Sequence, residues 1–579
     1  MPTLPLTDHW NLVWSSLLIA ELIKNGIDTF FLSPGNRNAP LLSVLAYEDR
    51  SVKKICFDER AAAYRALGYT RATGRPGVLV STSGTAPANY YPAVMEAARE
   101  DLPLIVLSAD RPPELVDSDA NQTIDQHDLF GHHCRASLFL PCPGPDDFPE
   151  AMLAKLDNLL ARMSGPVHIN IPFRDPLTPG KEASGTVGPE AAQRARRLFD
   201  APGPFTVYAQ SSPNVPDIAL LAAAVGGARR GLAIAGRLDS VGDVQTLGRL
   251  LNSIDWPVFC DIASSLRGYV SLDRQILCPD HPEALRLILE YAPDVILQFG
   301  SGLVSKHYYA SVLTQESIRL LQVSPRSGLR DPVHRVCMRL DAPVHSVAGL
   351  MQAQSFAPPQ LDAQSLLLVR MKRLREHLSQ ALNAVSSFSF ARVAETLLPL
   401  VLQGEALFLG NSLAIRAFDA ACSEVATDVT VLSNRGVSGI EGNIATALGF
   451  AEASGRRVTA VIGDMSFLHD LNSLALIGQS ETPLILAVVN NGGGRIFERL
   501  PMRHFPEILH PYMTTPHNWD FRMIAEQFRL PYSCVHRPGE LASAYRQAQD
   551  EGVSSLLEVV LSAEEDMRVY SAMQKVRLR

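Results

Sequence analysis

Cysteine is scarce and unpatterned in this chain: eight in 579 residues, no Cys-x-x-Cys pair, and Cys134 and Cys142 the two closest. That excludes a disulfide framework and suits a reducing compartment. His132-His133-Cys134 has no second ligand cluster at zinc spacing, so a zinc site is not expected. Long apolar runs are missing too. Ile218 to Val225 falls far short of the roughly 20 residues that a membrane-spanning helix requires. No basic tract occurs, and the net charge of −8 argues against a nucleic-acid partner. Met1-Pro2-Thr3-Leu4 does not open a basic-then-apolar export signal, so the expected setting is cytoplasmic. Repeats at solenoid period and low-complexity tracts are also absent. What remains is an ordinary globular composition, 46% hydrophobic and 19% charged, on a chain long enough for about three to four domains.

The most informative feature present is Gly463-Asp464-Met465-Ser466, from whose Asp464 it is 27 residues to Asn491 in Asn490-Asn491-Gly492-Gly493-Gly494. Each motif ends an apolar run, Val458 to Ile462 and Pro483 to Val489, that reads as a buried parallel strand. Leu468 to Leu476 has helical periodicity, which makes the unit strand–helix–strand. The two carboxyl-end loops then lie side by side, where an open α/β sheet binds its ligand. A hard cation there takes oxygen donors. Asp464 offers a carboxylate, Asn491 an amide oxygen and Gly493 a backbone carbonyl, and phosphate oxygens and water complete the shell. The expectation is Mg2+, with Mn2+ as an alternative, held on a diphosphate. Taken alone, the motif has a plainer reading as two ordinary loops, since Asp and Asn are common turn residues.

A second carboxylate strengthens the case. In Ile55-Cys56-Phe57-Asp58-Glu59-Arg60-Ala61-Ala62-Ala63, the apolar pair Ile55 and Phe57 predicts a short strand and the alanine run a helix. Glu59 at that junction can face a cofactor crevice, or it can merely complement the helix dipole.

Alternating strands and helices divide the chain into α/β blocks expected at 1–180, 200–355 and 380–579. The first has a helix from Trp10 to Lys24, strands at Thr29–Leu32, Val78–Ser81, Leu104–Ser108 and Val167–Ile171, and a helical stretch Ala86–Arg99. The second has strands near Leu232–Ala235, Val258–Asp261, Val295–Phe299 and Leu320–Val323, with no Gly-x-Gly-x-x-Gly around Gly231 and Gly236. The third opens with a helix near Phe390–Leu400, then strands at Ala406–Leu409 and Val429–Leu432. Pro176 to Pro216 and Ser355 to Gln360 read as linkers. The fold class expected is α/β, with three doubly wound parallel-sheet domains.

The Gly-Asp…Asn-Asn pattern with Glu59 on another α/β unit resembles the thiamin-diphosphate enzymes of the pyruvate-oxidase-like group. Their pyrimidine-binding, central and diphosphate-binding domains follow in this order. Further segments narrow the resemblance: Ser33-Pro34-Gly35-Asn36-Arg37, Thr82-Ser83-Gly84-Thr85-Ala86, Ser108-Ala109-Asp110-Arg111-Pro112, Gly410-Asn411-Ser412, and Ser433-Asn434-Arg435-Gly436-Val437-Ser438-Gly439-Ile440. Along nearly the whole chain these are similar to the 2-succinyl-5-enolpyruvyl-6-hydroxy-3-cyclohexene-1-carboxylate synthases of menaquinone biosynthesis. Arginine suits bidentate carboxylate recognition, and several loops carry one, so substrates with several carboxylates fit the same segments.

The resemblance implies thiamin diphosphate bound through Glu59, Ser412, Gly439, Ile440, Gly463, Asp464, Ser466 and Asn491, with metal ligands Asp464, Asn491 and Gly493. Glu59 would hydrogen-bond N1′ of the aminopyrimidine, and Ile440 would press the cofactor into its bent form. It further implies decarboxylation of 2-oxoglutarate and addition of the succinyl unit to isochorismate. Asn411, Ser412, Arg416 and Arg435 would hold the succinyl carboxylate; Arg37, Arg111, Gln122 and Lys306 would hold isochorismate. Ile496, Phe497 and Leu500 would wall off water. A homodimer or homotetramer follows, with Glu59 of one chain serving the cofactor anchored by Asp464 of another. Asn36, Asn38 and His307 depart from the pattern, where Ser, Ser and Arg are expected. His307 keeps a donor with only partial charge near neutral pH.

Overall fold

The computed structural model describes residues 9–147, 149–178, 187–208, 215–238, 240–326, 331–352 and 361–578. Three parallel sheets organise them. The first has six strands: β1 (Thr29–Leu32), β2 (Val52–Ile55), β3 (Gly77–Ser81), β4 (Leu104–Asp110), β5 (Ala136–Phe139) and β6 (Pro166–Pro172), in the order β2-β1-β3-β4-β6-β5. The middle sheet orders β7 (Gly231–Ala235), β8 (Val258–Cys260), β9 (Val295–Phe299), β10 (Arg319–Val323) and β11 (Val336–Leu340) as β11-β10-β9-β7-β8. The last sheet contains β12 (Ala406–Leu409), β13 (Thr430–Leu432), β14 (Val458–Gly463), β15 (Leu484–Asn490), β16 (Tyr532–Val535) and β17 (Ser555–Val560), ordered β13-β12-β14-β15-β17-β16. The first and last sheets therefore share one topology, and both are covered on two faces, as fully buried strands such as β3, β4 and β15 require.

The two outer sheets meet through a helix pair. Glu59–Thr73 packs along Asn443–Ser454. Two glycines set the approach: a Cβ on Gly68 would lie 2.1 Å from the Thr446 carbonyl, and one on Gly449 would lie 2.0 Å from the Arg65 carbonyl. Arg65, fully buried between them, makes a bidentate pair with Glu452 at 2.6 and 3.0 Å. A buried pair of this geometry specifies the docking, because removing either partner strands a charge. The middle sheet is tied to the last by Arg267, which donates to the carboxylate of Asp419 at 2.7 Å and to its carbonyl at the same distance.

Three expectations need correction, and one strand is new. The linker Pro176 to Pro216 contains the helix Pro189–Asp200, whose Ala195 and Leu198 join the core under Trp10–Lys24. The edge strand near Glu59 is Val52–Ile55; Phe57 lies beyond it, and Ile55 and Phe57 are 61% and 64% exposed. The helix expected at Ala86–Arg99 is two, Thr85–Ala88 and Tyr91–Glu100, because Pro92 suits a helix start rather than an interior. The strand Val336–Leu340 adds an edge to the middle sheet that the sequence pattern does not announce. The linker Ser355 to Gln360 lies outside the described residues. Among the described residues no helix is long and apolar enough to cross a membrane.

Candidate active site

Asp464 starts a short helix directly after β14 and is 2% exposed. Its Oδ1 accepts the Met465 amide at 2.7 Å; its Oδ2 accepts the amides of Gly493 at 2.9 Å and Asn491 at 3.2 Å. Burial raises its pKa above the ordinary carboxylate value, and those amides with nearby His517 oppose the shift. Gly493 is required where it stands: φ is +127°, and a Cβ would meet the Thr514 carbonyl at 2.3 Å. Asn491 is 7% exposed, and no hydrogen bond among the described residues engages its side-chain amide. A buried carboxylate, an uncommitted amide oxygen and a pinched glycine backbone form an oxygen-donor set that fits a hard divalent cation. His517 was missed from sequence. Its Nε2 lies 3.3 Å from Asp464 Oδ2, its side chain is 4% exposed, and its ring stacks on Trp519. Pro516-His517-Asn518 carries no pattern that would have singled it out.

Next to this lies the Asn411 loop. The Asn411 amide donates to the carbonyls of Asn434 at 2.6 Å and Gly439 at 2.8 Å, and Arg435 donates to Asn411 Oδ1 at 3.2 Å. Ser412 adopts φ +70°, a conformation an L-residue holds only where its surroundings demand it. Its carbonyl receives Arg416 at 2.6 Å. Burial lowers the pKa of Arg416, and Arg435 and then Arg499 push it the same way. Arg416 lines a cavity of about 390 Å³ together with Lys306, His307, Ile496, Arg499 and Leu500. Phe497 is half-buried against Gly494. Ile440 and Leu500 are 36% and 45% exposed.

A second cluster stands at the carboxyl end of the first sheet. Arg37 is buried and donates to the Phe173 carbonyl at 2.8 Å. Arg111 donates to Ser83 Oγ at 2.7 Å, and Gln122 Nε2 donates to the Ser83 carbonyl at 2.9 Å. Burial lowers the Arg111 pKa and the nearby Arg37 adds to that. Asn38 braces its own loop, accepting the Gly35 amide and donating to the Ser33 carbonyl, while Asn36 is exposed. Lys306 lies with the Arg416 group instead. The four residues expected to share one ligand are thus divided between two clusters within a chain.

Glu59 is half-buried, and its carboxylate receives Asn89 Nδ2 at 3.4 Å. Asp58 caps its helix through the Ala61 amide at 3.2 Å and receives Asn472 Nδ2 at 2.9 Å; Arg60 donates to the His469 carbonyl at 2.8 Å. No hydrogen bond or ion pair among the described residues joins Glu59 to Asp464, Asn491 or Gly493.

Three family models match in series: the N-terminal thiamine pyrophosphate binding domain at residues 14–129, the middle domain at 194–409 and the C-terminal thiamine pyrophosphate binding domain at 419–559. The chain is 57% identical over 578 residues to a 2-succinyl-5-enolpyruvyl-6-hydroxy-3-cyclohexene-1-carboxylate synthase of Syntrophus aciditrophicus, covering 99% of this chain and 100% of that protein. The synthase of Rubrobacter xylanophilus is 37% identical, covering 97% and 98%. A solved structure, the thiamine diphosphate-dependent 4-hydroxybenzoylformate decarboxylase of Rhodococcus jostii, superposes with a TM-score of 0.69 at 18% identity, covering 95% of this chain and 99% of that one, and shows the same fold. The chain belongs to the thiamin-diphosphate-dependent enzymes, in the family of 2-succinyl-5-enolpyruvyl-6-hydroxy-3-cyclohexene-1-carboxylate synthases.

Proposed function

We propose that the chain decarboxylates 2-oxoglutarate and adds the resulting succinyl unit to isochorismate, releasing CO2. The observation that carries this reading is the placement of Arg416 and Lys306 on one cavity with the apolar Ile496 and Leu500. The relatives' product name contains three carboxylates, one each on the succinyl group, the enolpyruvyl group and the ring, and cations beside apolar side chains suit that product. Arg416, Arg435, Asn411 and Ser412 hold the succinyl carboxylate. Arg37, Arg111, Gln122 and Lys306 hold the cyclic acceptor, and Phe497 supports the apolar wall.

Asp464, Asn491 and the Gly493 carbonyl would ligate Mg2+, or Mn2+ in its place, against the diphosphate, with Gly463, Ser466 and Gly439 lining the cofactor. When bound, thiamin diphosphate supplies a carbon nucleophile for the keto group and an electron sink for the departing CO2. Glu59 holds and returns a proton at N1′ of the aminopyrimidine, and Ile440 braces the cofactor from the opposite half.

The complete site takes Glu59, Arg37, Arg111 and Gln122 from one chain and Asp464, Arg416 and Lys306 from another, in a homodimer or a pair of dimers. Large exposed apolar side chains support this: Phe57 at 64% beside Glu59, and Tyr512 and Trp519 at 79% and 59% on the segment following the metal loop. The cytoplasmic setting expected from the cysteine pattern belongs to the same reading.

Product analysis by mass spectrometry tests it. Wild-type protein given 2-oxoglutarate, isochorismate, thiamin diphosphate and Mg2+ yields the three-carboxylate product and CO2, and omitting any one component abolishes it. CO2 release with isochorismate left unconsumed would leave a decarboxylase and refute the acceptor.

A further inference from the structure

We propose that Arg499 is a specificity-determining residue: with Lys306 it clamps one carboxylate of the cyclic acceptor. This rests on the reaction proposed above.

Arg499 ends the short 3-10 turn Arg495–Arg499, between Ile496 and Leu500, and all three line the same 390 Å³ cavity as Lys306 and Arg416. A cation between two members of the apolar wall meets whatever that wall covers. The C-terminal helix Ala563–Gln574 fixes its direction. Arg499 Nη2 donates to Asp566 Oδ2 at 2.6 Å, and the guanidinium lies 4.3 Å over the Tyr570 ring. Asp566 is itself anchored, its Oδ1 accepting the Phe390 amide at 2.8 Å.

The hydrogen bonding of Arg499 is incomplete. A guanidinium carries five N–H donors, and here one carboxylate oxygen is met while Nε is buried with no hydrogen-bond partner. Nη1 makes no hydrogen bond among the described residues and is not among the buried atoms, so it is the donor left for an acceptor oxygen that enters the cavity. The acids on the cavity wall do not serve that purpose. Asp280 is occupied by Ser305 Oγ and the amides of Lys306 and His307, Glu395 by the Cys422 amide and Ser423, and Asp419 by Arg267.

Position decides which carboxylate. Arg416 hangs from Ser412 beside Asn411 and Arg435, a set that serves the succinyl end. Arg499 has a different anchor, Asp566 on the C-terminal helix, so it is a neighbour of that set rather than part of it. The cyclic substrate brings two further carboxylates. The Arg37–Arg111 pair serves one, and Lys306 and Arg499, from the middle and last domains, take the other.

The test uses full-length enzyme with saturating cofactor and Mg2+. R499M raises the KM for isochorismate about ten- to a hundredfold, the range for losing a charge-assisted hydrogen bond. The KM for 2-oxoglutarate, and CO2 release with 2-oxoglutarate alone, stay within about twofold. R499K recovers part of the loss. If R499M folds poorly, R499M/D566N removes both charges together and shows the same selective rise. An unchanged isochorismate KM, or equal rises for both substrates with a lowered Tm, would mean that Arg499 only braces the C-terminal helix. A wild type that makes no product overturns the reaction itself, a result separate from either.

Discussion

The first and last sheets run through the same strand order, yet they carry opposite chemistry at equivalent places. The helices Glu59–Thr73 and Asn443–Ser454 are related by the reciprocal contacts of Gly68 and Gly449, each meeting the carbonyl three residues ahead of the other. Glu59 opens the first of these helices, and Ile440 lies in the loop three residues before the second begins. One half thus carries a carboxylate at its helix start and the other a bulky apolar side chain in the loop that leads to its helix. The strand ends differ likewise: β3 and β4 lead into Thr82, Ser83 and Arg111, whereas β14 and β15 lead into Asp464 and Asn491. A duplicated scaffold positions two sets of loops, and function lies in what each set carries. On the function proposed above, the first half handles the proton and the acceptor, and the second holds the ion, the diphosphate and the succinyl end.

The sharpest way to break this division is to substitute one of these residues from each half. Glu59→Gln slows hydrogen–deuterium exchange at C2 of the bound cofactor by at least about a hundredfold, the lower end of general acid–base assistance. Ile440→Ala, in the loop before the other helix, has the smaller effect, because no proton passes through it. NMR exchange measurements on both variants decide it; equal effects would erase the distinction.

A smaller effect separates the cation sets. Arg416→Ala slows CO2 release from 2-oxoglutarate about ten- to a hundredfold, while Arg111→Ala leaves that step near normal and impairs consumption of isochorismate to a similar degree. Single-turnover assays with 2-oxoglutarate alone, then with isochorismate added, resolve the two steps. Slowing of the same step by both variants would unite the clusters.

The packing that relates the halves gives the mildest expected change. Gly449→Ala puts a Cβ against the fixed backbone carbonyl of Arg65 and costs about 1–3 kcal/mol by overpacking. Gly478→Ala, where nothing lies within 4 Å, leaves Tm nearly unchanged. Thermal unfolding of both variants checks the pair.

Much of this was legible in the sequence because buried parallel strands read as short continuous apolar runs. Leu104 to Ser108 and Val458 to Ile462 are unmistakable in that respect, and the Asp464 and Asn491 loops follow at their carboxyl ends. Edge strands were harder. Val336–Leu340 is only half-buried, so its composition carries little signal. The helix Pro189–Asp200 hid in a segment whose prolines and glycines suggested a linker, although Pro189 itself suits the first turn of a helix. The division of Arg37, Arg111 and Gln122 from Lys306 could not be read from spacing at all, since it depends on how three domains dock. His517 and Arg499 were missed for the same reason. Each acquires its meaning from a neighbour, Asp464 or Asp566, that is distant along the chain.

The most direct test of the central claim is complementation between two inactive chains. Glu59→Gln and Asp464→Ala, each inactive alone, are co-expressed with different affinity tags and the hybrid is purified. On the proposed arrangement, with Glu59 from one chain and Asp464 from another, each hybrid dimer has one intact site and one doubly defective site. The hybrid recovers about half of wild-type activity per dimer. Hybrids as inactive as the parents would place both residues in a site built within a single chain and contradict a site shared between two.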